Sequence, residues 1–91
     1  MPSAKVIKPR ASDGSLYRCP CCNRATLETR GGDEICRVCF WQDDIVQRND
    51  PTFAGGANDV SLEQARANYK SFGASEQRVL QHVRPALPEE L

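Results

Sequence analysis

The spacing of apolar residues changes character twice along this chain. Residues 1–15 (MPSAKVIKPRASDGS) carry no apolar period. They hold Pro2, Pro9, Gly14 and the basic Lys5, Lys8 and Arg10, and read as a mobile basic tail. Leu16-Tyr17-Arg18 is short and extended, and Ala25–Arg30 reads as a strand. Gly31-Gly32 is a two-residue turn signal, after which Asp33-Glu34-Ile35 runs back as the second arm of a β-hairpin. Residues 42–60 are acidic and turn-rich, with Pro51, Gly55 and Gly56, and read as a loop with room for one short turn of helix. From Ser61 the period becomes helical. Leu62, Ala65, Tyr69 and Phe72 share a face, Ser61 and Gln64 form a capping-box pattern, and Gly73 marks the end. Ser75 stands as the cap of a second helix over about 76–83, with Val79, Leu80 and Val83 apolar, and Arg84-Pro85 stops it. The last residues (PALPEEL) are expected to fray. The domain reading is a tail (1–15), one folded unit (16–85) and a flexible C-terminus (86–91).

Ninety-one residues make one small domain, too small to be held by an apolar core alone. Five cysteines fall between Cys19 and Cys39. No basic segment followed by an apolar stretch opens the chain, so the expected compartment is the cytoplasm. An odd cysteine count there argues for a metal site over a disulfide framework. Apolar runs are only a few residues long, which excludes a transmembrane helix.

Cys19 and Cys22 form one C-x-x-C and Cys36 and Cys39 a second, with thirteen residues between them. Each pair can wrap a knuckle turn that presents two thiolates, and the intervening hairpin brings the knuckles together around one structural Zn²⁺. The predicted fold is therefore small α+β: a zinc ribbon with four-cysteine knuckles on a β-hairpin, followed by two C-terminal α-helices. An iron–sulfur cluster is the alternative use of the same thiolates. A redox C-x-x-C belongs at the start of a helix in a βαβ setting, which this sequence lacks. Cys21 lies inside the first knuckle and reads as a residue pointing away from the ion, with a swap ligand or oxidation-sensitive thiol as the other reading. Four thiolates and one Zn²⁺ sum to −2, which Arg18, Arg24 and Arg37 stand close enough in sequence to offset. A closed four-cysteine set leaves no coordination position for water or substrate.

Through residue 44 the segment is C-P-C-C-N … E-I-C-R-V-C-F-W-Q-D-D. It resembles the bacterial cysteine-rich CPCC family. The likeness continues through Asp50-Pro51, Gly55-Gly56-Ala57-Asn58, Ser61-Leu62, Ala65-Arg66, Asn68-Tyr69, Phe72-Gly73-Ala74 and Val83-Arg84-Pro85, and so covers about residues 17–85. Asn23 stands where the family commonly has Gly, and Gln42 where it often has Glu. The resemblance implies a zinc ribbon followed by helices. Small domains of this sort look similar to immunity proteins of bacterial toxin systems.

An enzyme is not expected. The lone histidine, His82, reads as a surface or packing residue, no Gly-rich loop leads into a helix, and Asp43-Asp44 read as a solvated acidic face. Charge decides between the binding classes. Overall it balances, with 12 basic and 12 acidic residues. Residues 1–18 hold four basic and one acidic (net +3), residues 19–60 four and seven (net −3), and residues 61–91 four and four. An acidic ribbon favours a basic protein partner over a polyanion. Phe40-Trp41 follows the last cysteine. One aromatic is expected to pack against the Tyr69/Phe72 face, and an exposed one would form an anchor rimmed by acid. The expected partner surface is Trp41, Asp43, Asp44 and Asp50. The expected function is a non-enzymatic protein-binding module, in its most specific form an immunity or antitoxin-type inhibitor of a toxin domain with a basic cleft. A nucleic-acid-binding regulator is the alternative, with weak affinity from the basic tail.

Overall fold

The computed structural model describes residues 16–91. Four short strands come first, β1 (Tyr17–Arg18), β2 (Ala25–Leu27), β3 (Gly32–Ile35) and β4 (Gln42–Asp44). Helices α1 (Ile45–Asn49) and α2 (Leu62–Phe72) follow, then 3-10 segments at Gln77–His82 and Pro88–Glu90. This is a small α+β, zinc-ribbon-like architecture. The expected tail lies outside the described residues. Among the described residues no helix is long and apolar enough to cross a membrane.

The strands pair differently from the simplest reading of Gly31-Gly32. β1 pairs antiparallel with β2 (Tyr17 opposite Leu27), and β3 with β4 (Gly32 opposite Asp44, Ile35 opposite Gln42). Each knuckle is thus the turn of its own hairpin, and β2 and β3 belong to different two-stranded sheets. Backbone bonding explains this. Within the first knuckle Asn23 N–H donates to Cys19 O (2.8 Å) and Cys19 N–H to Arg24 O (2.9 Å). These bonds close the turn and bring its flanks together. Gly31-Gly32 instead joins the two hairpins. Gly31 takes φ 72° and its N–H donates to Asp43 Oδ2 (2.6 Å), while the Glu34 carboxylate accepts from Glu28 and Thr29 N–H.

The helix signals at Ser61 and Gly73 are met. Ser61 Oγ accepts from Gln64 N–H (3.1 Å), and Gly73 ends α2 at φ 88°. The Gln64 side chain reaches Asn68 and not the cap, so only half of the capping box forms. Leu62 and Ala65 are fully buried and dock α2 on the cysteines, Leu27, Val38 and Trp41. The second helix is 3-10 and not α. Ser75 N–H is tied to Cys39 O (2.9 Å), and the Glu76 carboxylate is committed to Asp59 N–H and Arg78. The segment is therefore pinned at its start and short, the setting in which 3-10 geometry is used. Leu80 stays exposed and only Val79 is buried. The final residues are docked, contrary to the expected fraying. Glu90 is buried, bonds Arg84 through both carboxylate oxygens (2.8 Å each) and accepts from Leu87 N–H. Arg84 holds the Glu90 carboxyl below the usual range.

Candidate metal centre

The two knuckles repeat one backbone pattern seventeen residues apart. Phe40 N–H donates to Cys36 O and Cys36 N–H to Trp41 O (2.8 Å each), as Asn23 and Cys19 do in the first knuckle. The residue after each second cysteine is left-handed, Asn23 at φ 65° and Phe40 at φ 67°. That rotation turns the chain back sharply enough for both sulfurs of a C-x-x-C to face one point. Asn tolerates it. Phe40 does so against its bulk, and its ring stacks on His82 with centroids 4.8 Å apart.

The result is one group of four sulfurs. Cys19, Cys22, Cys36 and Cys39 are all buried, and their ligand atoms lie within 4.8 Å of one another. Cys19 Sγ is 3.6 Å from Cys39 Sγ, and Cys22 Sγ 3.7 Å from Cys36 Sγ, so each close contact spans the two knuckles. All five cysteines are free thiols, and these separations are far beyond a disulfide bond of about 2.05 Å. The four cysteines are positioned to hold a metal ion.

Electrostatics point the same way. Two thiolates about 3.7 Å apart repel by about 4–5 kcal/mol even at an effective dielectric of about 20. Donation from Cys19, then Cys22, Cys39 and Thr26, holds the Cys36 thiol far below its ordinary range. Cys39 is pushed up by the same crowding, Cys19 foremost. Only a cation lets all four ionise together.

Thr26 belongs to this site although no sequence motif marks it. Its hydroxyl lies 3.0 Å from Cys36 Sγ, placed to donate to that sulfur once it is a thiolate. Cys21 is buried but outside the four-sulfur group, and its backbone N–H reaches Cys19 Sγ at 3.4 Å.

The expected partner residues do not form a surface. Trp41 is fully buried in the core, with its indole N–H unpartnered among the described residues, so it is the packing aromatic and no exposed anchor. Asp43 is also fully buried and serves the fold, accepting from Gly31 N–H and from Arg48 (3.0 Å). Asp44 caps α1, accepting from Val46 and Gln47 N–H with one oxygen and Ala57 N–H with the other. Asp50 alone of the four is exposed, and its carboxylate folds onto Thr52. The acidic rim expected around an aromatic is thus largely internal wiring. Within the same region Gln47 and Asn58 bond one another and hold the 50–60 loop: Asn58 Nδ2 donates to Gln42 O and Gln47 Oε1, and Gln47 Nε2 lies 3.0–3.2 Å from the carbonyls of Phe53, Asn58 and Val60.

No curated protein matches this sequence. The family model described as cysteine-rich CPCC matches residues 17–90, which takes in both knuckles, the α2 docking face and the docked C-terminal turn, and the chain belongs to that family.

Proposed function

We propose that this protein is a non-enzymatic module whose fold is held by one structural Zn²⁺ on Cys19, Cys22, Cys36 and Cys39 and which acts by binding another protein. The observation that carries the metal assignment is the sulfur spacing. A tetrahedral ion with Zn–S bonds of about 2.3 Å sets its sulfurs about 3.8 Å apart, close to the 3.6 and 3.7 Å found across the knuckles. An all-thiolate set of this size suits a single zinc, with iron as the competitor. Four protein ligands supply no open position, which favours a structural over a catalytic ion. His82 stacks on Phe40, and Asp43 and Asp44 are spent on the fold, so the candidate acid–base groups have structural work.

Support for a protein partner comes from an exposed apolar side chain, Ile35, beside the second knuckle. Ile35 is 41% exposed and borders a hollow of about 410 Å³ with Phe40 and His82. Exposed apolar groups around a concavity suit protein contact. An immunity or antitoxin-type inhibitor is the narrower form of this reading. It draws on this face and no longer on acidic mimicry, because Asp43 and Asp44 are committed internally.

Native mass spectrometry of the full chain, purified from its own host with any bound partner, tests both halves. The expected result is one zinc per chain and a stoichiometric protein partner, with Ile35→Asp losing the partner but keeping the zinc. Iron in place of zinc overturns the metal assignment. Co-purifying nucleic acid with no protein overturns the partner class.

A further inference from the structure

A second concavity lies over the first knuckle and shares no lining residue with the hollow at Ile35. Its volume is about 580 Å³. Arg18, Arg24, Arg66 and Lys70 line it, and no carboxylate does. Arg18 comes from β1, Arg24 from the end of the first knuckle, and Arg66 and Lys70 from successive turns of α2, four residues apart on one face.

Main-chain oxygens anchor two of these cations. Arg18 donates to Asn23 O (2.6 Å) and to Leu91 O (3.1 Å), and Arg66 Nε to Pro20 O (2.8 Å). Among the described residues the ion pairs involve Arg48, Arg78 and Arg84, and none of these four. Arg24 also lines the hollow, and its buried Nε has no hydrogen-bond partner among the described residues. A buried donor left unpaired costs about 1–3 kcal/mol. Even against a metal–thiolate charge of −2 beneath the knuckle, four cations leave a local surplus of positive charge.

We propose that this hollow is a phosphate-binding groove that takes a single-stranded nucleic acid. One phosphate group is satisfied by two or three donors. Four cations spread over two walls of an open groove suit successive phosphates of a strand, and Tyr69 adds one aromatic ring to the lining on which a base can stack. The groove also explains how a chain of zero net charge could hold a polyanion. The charge that matters is gathered locally from distant parts of the sequence.

The test is fluorescence-anisotropy titration of the full zinc-loaded chain with a short labelled oligothymidylate, repeated across salt concentrations. Inorganic tripolyphosphate and a tyrosine-phosphorylated peptide serve as competing probes. Arg66→Gln with Lys70→Gln should weaken oligonucleotide binding by about tenfold and flatten the plot of log affinity against log salt by about 1.4, two phosphate contacts at about 0.7 each. The difference in slope is diagnostic, because Lys5, Lys8 and Arg10 add charge of their own. Lys70→Gln alone removes a cation with no anchoring bond among the described residues and should flatten it by about 0.7. Metal content and circular dichroism should stay as in the parent. Absence of oligonucleotide binding, or slopes unchanged in both variants, overturns the proposal. So does tight binding of tripolyphosphate or the phosphopeptide without the oligonucleotide. Loss of zinc from Lys70→Gln would also overturn it, by showing that the cations serve the metal centre.

Discussion

Phe40 holds a left-handed backbone, which costs a bulky residue about 1–2 kcal/mol. The position tolerates it because the ring gains a stacking partner in His82, an arrangement worth about 0.5–1.5 kcal/mol. The lone histidine therefore acts as a packing residue for a knuckle. Thr26 is the other single residue with leverage on the metal centre. Its hydroxyl stabilises the Cys36 thiolate, and outer bonds of this kind commonly set metal affinity by 10- to 100-fold, about the range in which Thr26→Val should act. We expect at least a tenfold loss in a chelator-competition titration for Thr26→Val, with Thr26→Ser close to the parent. Equal affinities for all three would mean the hydroxyl bond is idle.

At the level of elements, α1 is too short to stand alone and depends on its cap. Asp44 is held below the ordinary carboxylate range by Ala57 N–H first, then by Gln47 and Val46 N–H. A carboxylate lowered in the folded state contributes stability in full above its unfolded pKa of about 3.9, and the contribution is lost as pH falls through the lower folded value. The parent should therefore be more stable than Asp44→Asn in urea at neutral pH, with the gap narrowing as pH falls below about 4. A gap independent of pH would show that the charge of the cap is immaterial. The sequence made α2 legible because its signals are local: Ser61, Gly73 and an apolar face at helical spacing. It also made the four ligands legible, because C-x-x-C spacing follows directly from the reach of a knuckle. Strand pairing was not legible. Strands of two to four residues carry no period, and Gly31-Gly32 is a real bend that happens to join two hairpins. The burial of Trp41 and Asp43 was hidden for a different reason: these residues in β4 and its approach are placed by contacts with Gly31 and α2, which are distant in sequence, and with Arg48 of the following helix. Arg18, Arg24, Arg66 and Lys70 were invisible as a set because they lie in three segments whose net charges are positive, negative and zero.

Taken as a whole, the molecule has its ligands inside its apolar core, for the four sulfurs pack with Leu27, Val38, Trp41, Leu62 and Ala65. On the proposed zinc reading, metal binding and folding are one event. Zinc gives small finger peptides about 10–16 kcal/mol, against about 3–5 kcal/mol from a core of this size. Removing the ion with a strong chelator should therefore abolish the cooperative thermal transition and the α2 signal in circular dichroism, and restoring zinc should return both. A chelated protein that keeps its melting transition would place the stability in the apolar contacts instead.

The pairing of strands knuckle by knuckle has a consequence for exchange kinetics. Each hairpin closes its own turn and carries two of the four ligands, and the two hairpins share no ladder. An ion held between them can leave by halves. One hairpin lets go while the other keeps both its thiolates, and an incoming thiol or chelator captures the half-released ion before the second hairpin yields. Release then depends on the concentration of the competitor, so a site of high affinity can still hand over its metal quickly.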